Sequence, residues 1–221
     1  MTTEGRARGR AADGGPGLRE RKRRQTHRLL AVTALRLVVE RGLDGVTVED
    51  ISAAAGVSAR TFFNYFAVKE DALLVPYPDD EERLAELPGR IVDAPAGLSP
   101  PCAMAHAWRG DLDRWDADRD EWLARLTAVT EHPALAARLV RYMTEEKRVT
   151  VDALARRTGL PPDDPYLELV FYVVGGVMEA SMALWLRLGG ESPLSGLVDS
   201  GVATVEAGLP VPDRTAGPAG G

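Results

Sequence analysis

Cysteine is nearly absent: Cys102 stands alone in 221 residues, which excludes an intramolecular disulfide and any cysteine-rich zinc site. Histidine is almost as scarce, and His27, His106 and His132 are too scattered to assemble a metal centre. No uninterrupted apolar run approaches the ~20 residues of a membrane-spanning helix. The basic N-terminus leads into no apolar core of the kind a secretory signal needs. G-x-S-x-G, a glycine-rich phosphate loop and H-E-x-x-H are all missing. The acidic pairs Asp118/Asp120 and Asp163–Asp164 suit helix starts better than general acid–base work. The expectation is a cytoplasmic protein with no metal, no cofactor, no membrane association and no enzyme activity. What is present, 45% hydrophobic and 27% charged residues, is the composition of a globular chain.

The net charge of −6 hides an asymmetry. Residues 1–69 carry 13 Lys and Arg against 7 Asp and Glu, whereas the rest carries 14 against 26. A basic head on an acidic body confines any phosphate-binding surface to one end. Within the head, residues 1–17 are rich in Gly, Arg and Ala without periodicity, which predicts a disordered arm. Arg19, Arg21, Lys22, Arg23, Arg24 and Arg28 follow. Alone such a cluster reads as a solvated charge run, but before a DNA-binding motif it suits phosphates or a minor groove.

Leu30, Ala31, Ala34, Leu35 and Val38 share one helical face, which predicts a helix over Thr26–Arg41 stopped by Gly42. A second helix starts at Thr47, whose hydroxyl can cap it with Asp50 three residues on, a variant of the capping box. Gly56 allows a tight turn, and Ser58 caps a third helix over about Ala59–Phe66. Two short helices joined by Gly-Val-Ser have the spacing of a helix-turn-helix. At about 100° per residue, Phe62 and Phe66 point to roughly 200° and 240° from Arg60, and Asn64 lies opposite them at roughly 40°. The outward face therefore offers the Arg60 guanidinium, the Asn64 amide and Thr61, groups suited to guanine, adenine and a thymine methyl. Phe63, Tyr65 and Lys69 flank it, placed for the phosphate backbone.

Those residues carry a resemblance. The Leu30…Ala34-Leu35…Val38…Gly42 helix, the segment T-V-E-D-I-S-A-A-A-G-V-S and the run T-F-F-N-Y-F-x-x-K-E-D-A-L make residues 26–75 similar to the DNA-binding domain of the TetR family of bacterial transcriptional regulators. The resemblance implies that Thr47, Ala59, Arg60, Thr61, Phe63, Tyr65 and Lys69 meet double-stranded operator DNA. Thr47 and Lys69 would hold phosphates, and Arg60 and Thr61 would read bases. Phe63 departs from the tyrosine that many members carry there, which removes a phosphate hydrogen bond.

Beyond the head, Lys69–Leu74 begins a fourth helix that Pro76 and Pro78 should break. The acidic stretch 79–86 fits a helix or a solvated arm, and Pro88–Pro101 reads as a loop. Helices are predicted over Cys102–Trp115, Arg119–Thr130, Pro133–Thr158, Pro165–Leu188 and Leu194–Gly208, with Pro133 and Pro165 at first turns. No strand pattern emerges, so the fold class is all-α. The expected organisation is a disordered arm at 1–17, a helix-turn-helix domain at 18–68, a helical regulatory and dimerisation domain at 69–208 and a disordered tail at 209–221.

The second half resembles TetR-family regulatory domains more loosely, in T-E-H-P-A-L-A-A-R-L and its closing apolar helices. That implies a homodimer formed through about 165–188 and 194–208, and a small apolar or amphipathic effector. Gly175 and Gly176 cost about 1 kcal/mol each in a helix interior, and close packing against a partner or a neighbouring helix could offset that. Met104, Trp108, Trp115, Trp122, Tyr142, Phe171 and Met178 could line an effector cavity or fill the core.

Overall fold

The computed structural model describes residues 17–211. They form ten helices and, among the described residues, no strand: α1 Leu18–Arg41, α2 Val48–Ala54, α3 Ala59–Phe63, α4 Lys69–Leu74, α5 Asp80–Val92, α6 Pro100–Ala117, α7 Arg119–Glu131, α8 Pro133–Thr158, α9 Pro165–Arg187 and α10 Leu194–Glu206. The arm expected at 1–17 and the tail expected at 209–221 lie outside the described residues, apart from Gly17 and 209–211.

Two apolar clusters organise the chain. The first joins Leu30, Leu35 and Val38 of α1 to Ile51, Phe62, Phe66, Ala72 and Leu73, and it recruits Ala128 of α7 and Leu135 of α8. The second fills the body, with Leu87 and Ile91 of α5, Met104 and Trp108 of α6, Leu154 of α8, Phe171 and Trp185 of α9 and Val198 of α10. The head is therefore not a free-standing bead, because two body helices enter its core.

Three expectations need correction. α1 starts at Leu18, eight residues before Thr26, so the basic cluster lies on the helix; a solvated first half has no apolar period to announce it. Pro88–Pro101 is not a loop throughout, because α5 runs on to Val92 with Pro88 inside it. Pro-Gly punctuation obscured the spacing of Leu84, Leu87 and Ile91, which face α8 and the body core. The missing proline N–H is offset by that burial, and Arg157 closes the helix end on the carbonyls of Ile91, Val92 and Ala94 at 3.3, 3.2 and 2.7 Å. Finally, α9 is long and apolar enough, by length and composition, to cross a membrane. Glu168 and Glu179 keep it from reading as one uninterrupted apolar run. Here one of its faces packs in the body through Leu167, Val170, Val174 and Trp185.

Candidate nucleic-acid interface

The helix-turn-helix is built by its caps. Thr47 Oγ1 accepts from the Asp50 amide at 3.1 Å and donates to the Asp50 carboxylate at 2.6 Å, while the Thr47 amide donates to the same carboxylate at 2.9 Å. These bonds, hydroxyl donor first, hold Asp50 below the ordinary carboxylate range. Gly56 turns the chain at a φ of 69°, where a side chain would be strained. Ser58 Oγ then accepts from the Thr61 amide at 3.1 Å and lies 2.9 Å from the Thr61 hydroxyl. α3 ends at Phe63, earlier than the expected Phe66, and the chain continues as tight turns through Asn64.

That geometry sorts the aromatic residues. Phe62 and Phe66 are 0% and 4% exposed, whereas Phe63 is 56% exposed. Arg60 and Asn64 are exposed, and Ala59, Thr61 and Tyr65 are half-buried. Phe63 stands edge-on to Phe62, ring centroids 5.7 Å apart. The structure thus brings Ala59, Arg60, Thr61, Phe63 and Asn64 onto α3 and its end, with both inward phenylalanines beneath. Lys69 stands apart. Its ammonium spends two donors on the carbonyls of Leu43 and Val46, at 2.7 and 2.8 Å, leaving one of its three for anything else.

The basic cluster divides in two. Arg28 is committed to the body, bonding both oxygens of Glu121 at 2.5 and 2.7 Å and Asp118 at 3.1 Å. Arg24 pairs with Glu20 and Glu82. Arg19, Arg21, Lys22 and Arg23 are exposed and make no ion pair among the described residues.

The residues expected to line an effector cavity also divide. Met104, Trp108 and Phe171 are buried in the body core, with Trp115, Trp122 and Met178 packed against it. Trp115 and Trp122 stack with centroids 4.3 Å apart. Tyr142 does not join them: it lies at the junction with the head, where its hydroxyl donates to Asp71 of α4 at 2.9 Å. A helical pattern alone cannot say which neighbour a face meets, and this one meets α4.

Sequence reasoning missed the polar junction to which Tyr142 belongs. Arg125 is 2% exposed; it donates to Glu121 at 2.6 Å and to the Leu73 carbonyl at the end of α4 at 2.6 Å. Arg138 holds Asp71 through both oxygens, at 2.5 and 2.9 Å. Burial would push the Asp71 carboxyl up, but the bonds from Arg138 and Tyr142 prevail and hold it low. The one available signal was Arg125 itself, a charge inside the apolar pattern of W-L-A-R-L.

Two family models match the chain. The one described as "Bacterial regulatory proteins, tetR family" covers residues 30–74, and the one described as "MftR C-terminal domain" covers residues 98–210. The HTH-type transcriptional regulator TcmR of Streptomyces glaucescens is 36% identical, over 76% of this chain and 78% of its own. The putative mycofactocin biosynthesis transcriptional regulator MftR of Mycobacterium tuberculosis is 27% identical, over 76% and 83%. Among solved structures, the fatty acid degradation regulator FadR of Bacillus halodurans superposes with a TM-score of 0.59 at 17% identity, covering 82% of this chain and 98% of that one. FadR of Thermus thermophilus, solved with lauroyl-CoA, gives 0.52 at 23% identity, over 88% and 100%. At those identities the two structures speak for the fold.

Proposed function

The chain belongs to the TetR family of bacterial regulatory proteins and is a DNA-binding transcriptional regulator; on that premise we propose that it works as a homodimeric repressor, released from a palindromic operator by a small effector. The observation that carries the DNA side is the sorting on α3. With Phe62 and Phe66 inside, the exposed Arg60 and Asn64 are free to bond guanine and adenine edges, and the Thr61 methyl can meet thymine. Ala59 allows close approach. Thr47, Phe63, Tyr65 and the remaining donor of Lys69 position the helix on phosphates and sugars. The assigned head is 18–68 and the regulatory and dimerisation region 69–208.

Dimerisation draws support from α9 and α10. Leu169 and Tyr172 are each 58% exposed, and Gly176, Ala180 and Ala183 continue the same exposed stripe. A Cβ added at Gly175 or Gly176 would meet no atom within 4 Å, so packing inside the monomer does not require those glycines. Close approach of a second copy would. A two-fold pair also supplies two reading helices for two half-sites. The effector is an apolar or amphipathic molecule held in the body among the Met104, Trp108 and Phe171 side chains. By preferring an arrangement in which the heads cannot span both half-sites, it shifts the population off the operator. The regulator acts in the cytoplasm, where its operator lies.

Selection of bound DNA from a random pool tests the reading. An inverted repeat with half-sites about one helical turn apart is expected, and an asymmetric site overturns the dimer. Failure to enrich any sequence overturns specific recognition. A release screen on the selected site, with lauroyl-CoA among the probes, then tests for the effector.

A further inference from the structure

α9 has more apolar surface than the monomer covers: only 33% of its most apolar stretch is buried in the fold. The outward part forms one line. At about 100° per residue, Pro165, Leu169 and Tyr172 on one side of Gly176, and Ala180, Ala183 and Arg187 on the other, lie within roughly 40° of it. All are exposed. The line is sorted by size, with Leu169 and Tyr172, each 58% exposed, before Gly176 and only the two alanines between Gly176 and Arg187. Its spacing is the same both ways: four residues from Gly176 to Tyr172 and to Ala180, then three more to Leu169 and to Ala183.

Tyr172 is also held in place. Lys147 of α8 donates to its hydroxyl at 3.1 Å, stands 4.9 Å from its ring centre and pairs with Glu168 at 2.8 Å. An exposed tyrosine so fixed has little rotamer freedom left to lose on contact. The two ends of the helix differ in charge. Asp163 is exposed and Asp164 accepts from the Tyr166 amide at 2.9 Å, whereas Arg187 is exposed and makes no ion pair among the described residues.

We propose that a second copy of this chain lies antiparallel across α9 with the two-fold axis at Gly176, so that Leu169 packs on the partner's Ala183 and Tyr172 on the partner's Ala180. This rests on the homodimer reading above and adds its direction and register. Glycine facing glycine lets the two backbones approach, and Arg187 meets the partner's Asp163, so the charged ends complement each other. Glu179, about 60° from the line, stays at the wet rim. Other arrangements fill worse. Slid two turns one way, Leu169 meets the partner's Gly176 and Ala183 runs past the end of the helix; slid the other way, Gly176 meets the partner's Ala183 and Leu169 runs past it. A parallel pair sets Tyr172 on the partner's Tyr172 and leaves a gap at the alanines. A two-fold contact repeats every pair, so the surface selects this chain itself, and a relative without the same order of sizes does not fit it.

The test uses the full chain with Cys102→Ser as background and sedimentation to read its state. Leu169→Cys and Ala183→Cys, both at positions exposed in the monomer, should form no covalent dimer alone and a disulfide-linked one when the two variants are mixed. Leu169→Ala should weaken the dimer at least about tenfold, and adding Ala183→Leu should restore it to within about threefold. Self-linking of either cysteine variant overturns the antiparallel direction. A dimer in which the mixed variants do not link, or the exchange does not restore, overturns the register and leaves the homodimer reading standing. A monomer, free or carried down with phosphatidylglycerol vesicles, overturns that reading as well.

Discussion

The head holds helices of seven and five residues in α2 and α3, and a six-residue α4 links it to the body, where α8 and α9 run to 26 and 23. Helices of one or two turns do not persist on their own. Those of the head survive through caps and through a shared core that Ala128 and Leu135 of the body help to close. The body relies instead on long apolar faces. Where the two regions meet the rule changes again, and arginines do the joining: Arg28 to Glu121, Arg125 to the end of α4, Arg138 to Asp71. The lesson is that the head is rigid locally and dependent globally. Its reading surface is set by a few neighbouring residues, but its attitude is set from α7 and α8.

The most damaging test of that contrast is Arg125→Met. It strips the Leu73 carbonyl of its buried donor and leaves Glu121 with Arg28 alone, for an expected loss of about 3 kcal/mol in urea unfolding. A loss under about 1 kcal/mol would mean that Arg28, Arg138 and the apolar contacts fasten the head without Arg125. Next in size is Arg60→Ala, at an exposed position, which should lower operator affinity roughly 10–100-fold by anisotropy with the melting temperature unchanged. Gly176→Leu should weaken the dimer about tenfold in sedimentation, because the added side chain has room in the monomer and none beneath a partner. An unchanged dissociation constant would remove α9 from the interface.

The smallest effect concerns Asp80, at the start of α5. Burial raises its carboxyl from 3.8 to about 6, against the opposing bond from the Tyr77 amide. A folded value above the unfolded one means that its contribution is fullest below pH 4 and is lost as the pH rises through about 6. Asp80→Asn should therefore stabilise the protein by about 1 kcal/mol at pH 8 and gain nothing at pH 4, as read by thermal unfolding at both. An equal gain at both values would show that the carboxylate is not the cause.

Legibility followed the same divide. α8 has the bounds that Pro133 and Gly159 announce, because both ends carry their own punctuation. The Thr47–Asp50 box and the Ser58 cap were readable for the same reason: each is closed within four residues. The start of α1 was not, since a helix with no buried face in its first turns leaves only charge to read. α5 hid behind Pro88 and Gly89, whose local cost is outweighed by packing on α8, a term absent from any window of sequence. Tyr142 shows the limit for sites. Its helix could be read, but whether its hydroxyl entered the body or reached Asp71 depended on how two distant segments dock.

Lys69 ties the first turn of α4 to the corner between α1 and α2, through the carbonyls of Leu43 and Val46. The three helices ahead of it and the hinge behind it are thereby lashed together, so a swing of α4 carries the whole reading unit as one block. If α3 reads bases as proposed, specificity and responsiveness can then drift separately: exchanging the side chains at 60, 61 and 64 would redirect the protein to another operator without retuning what lets it go.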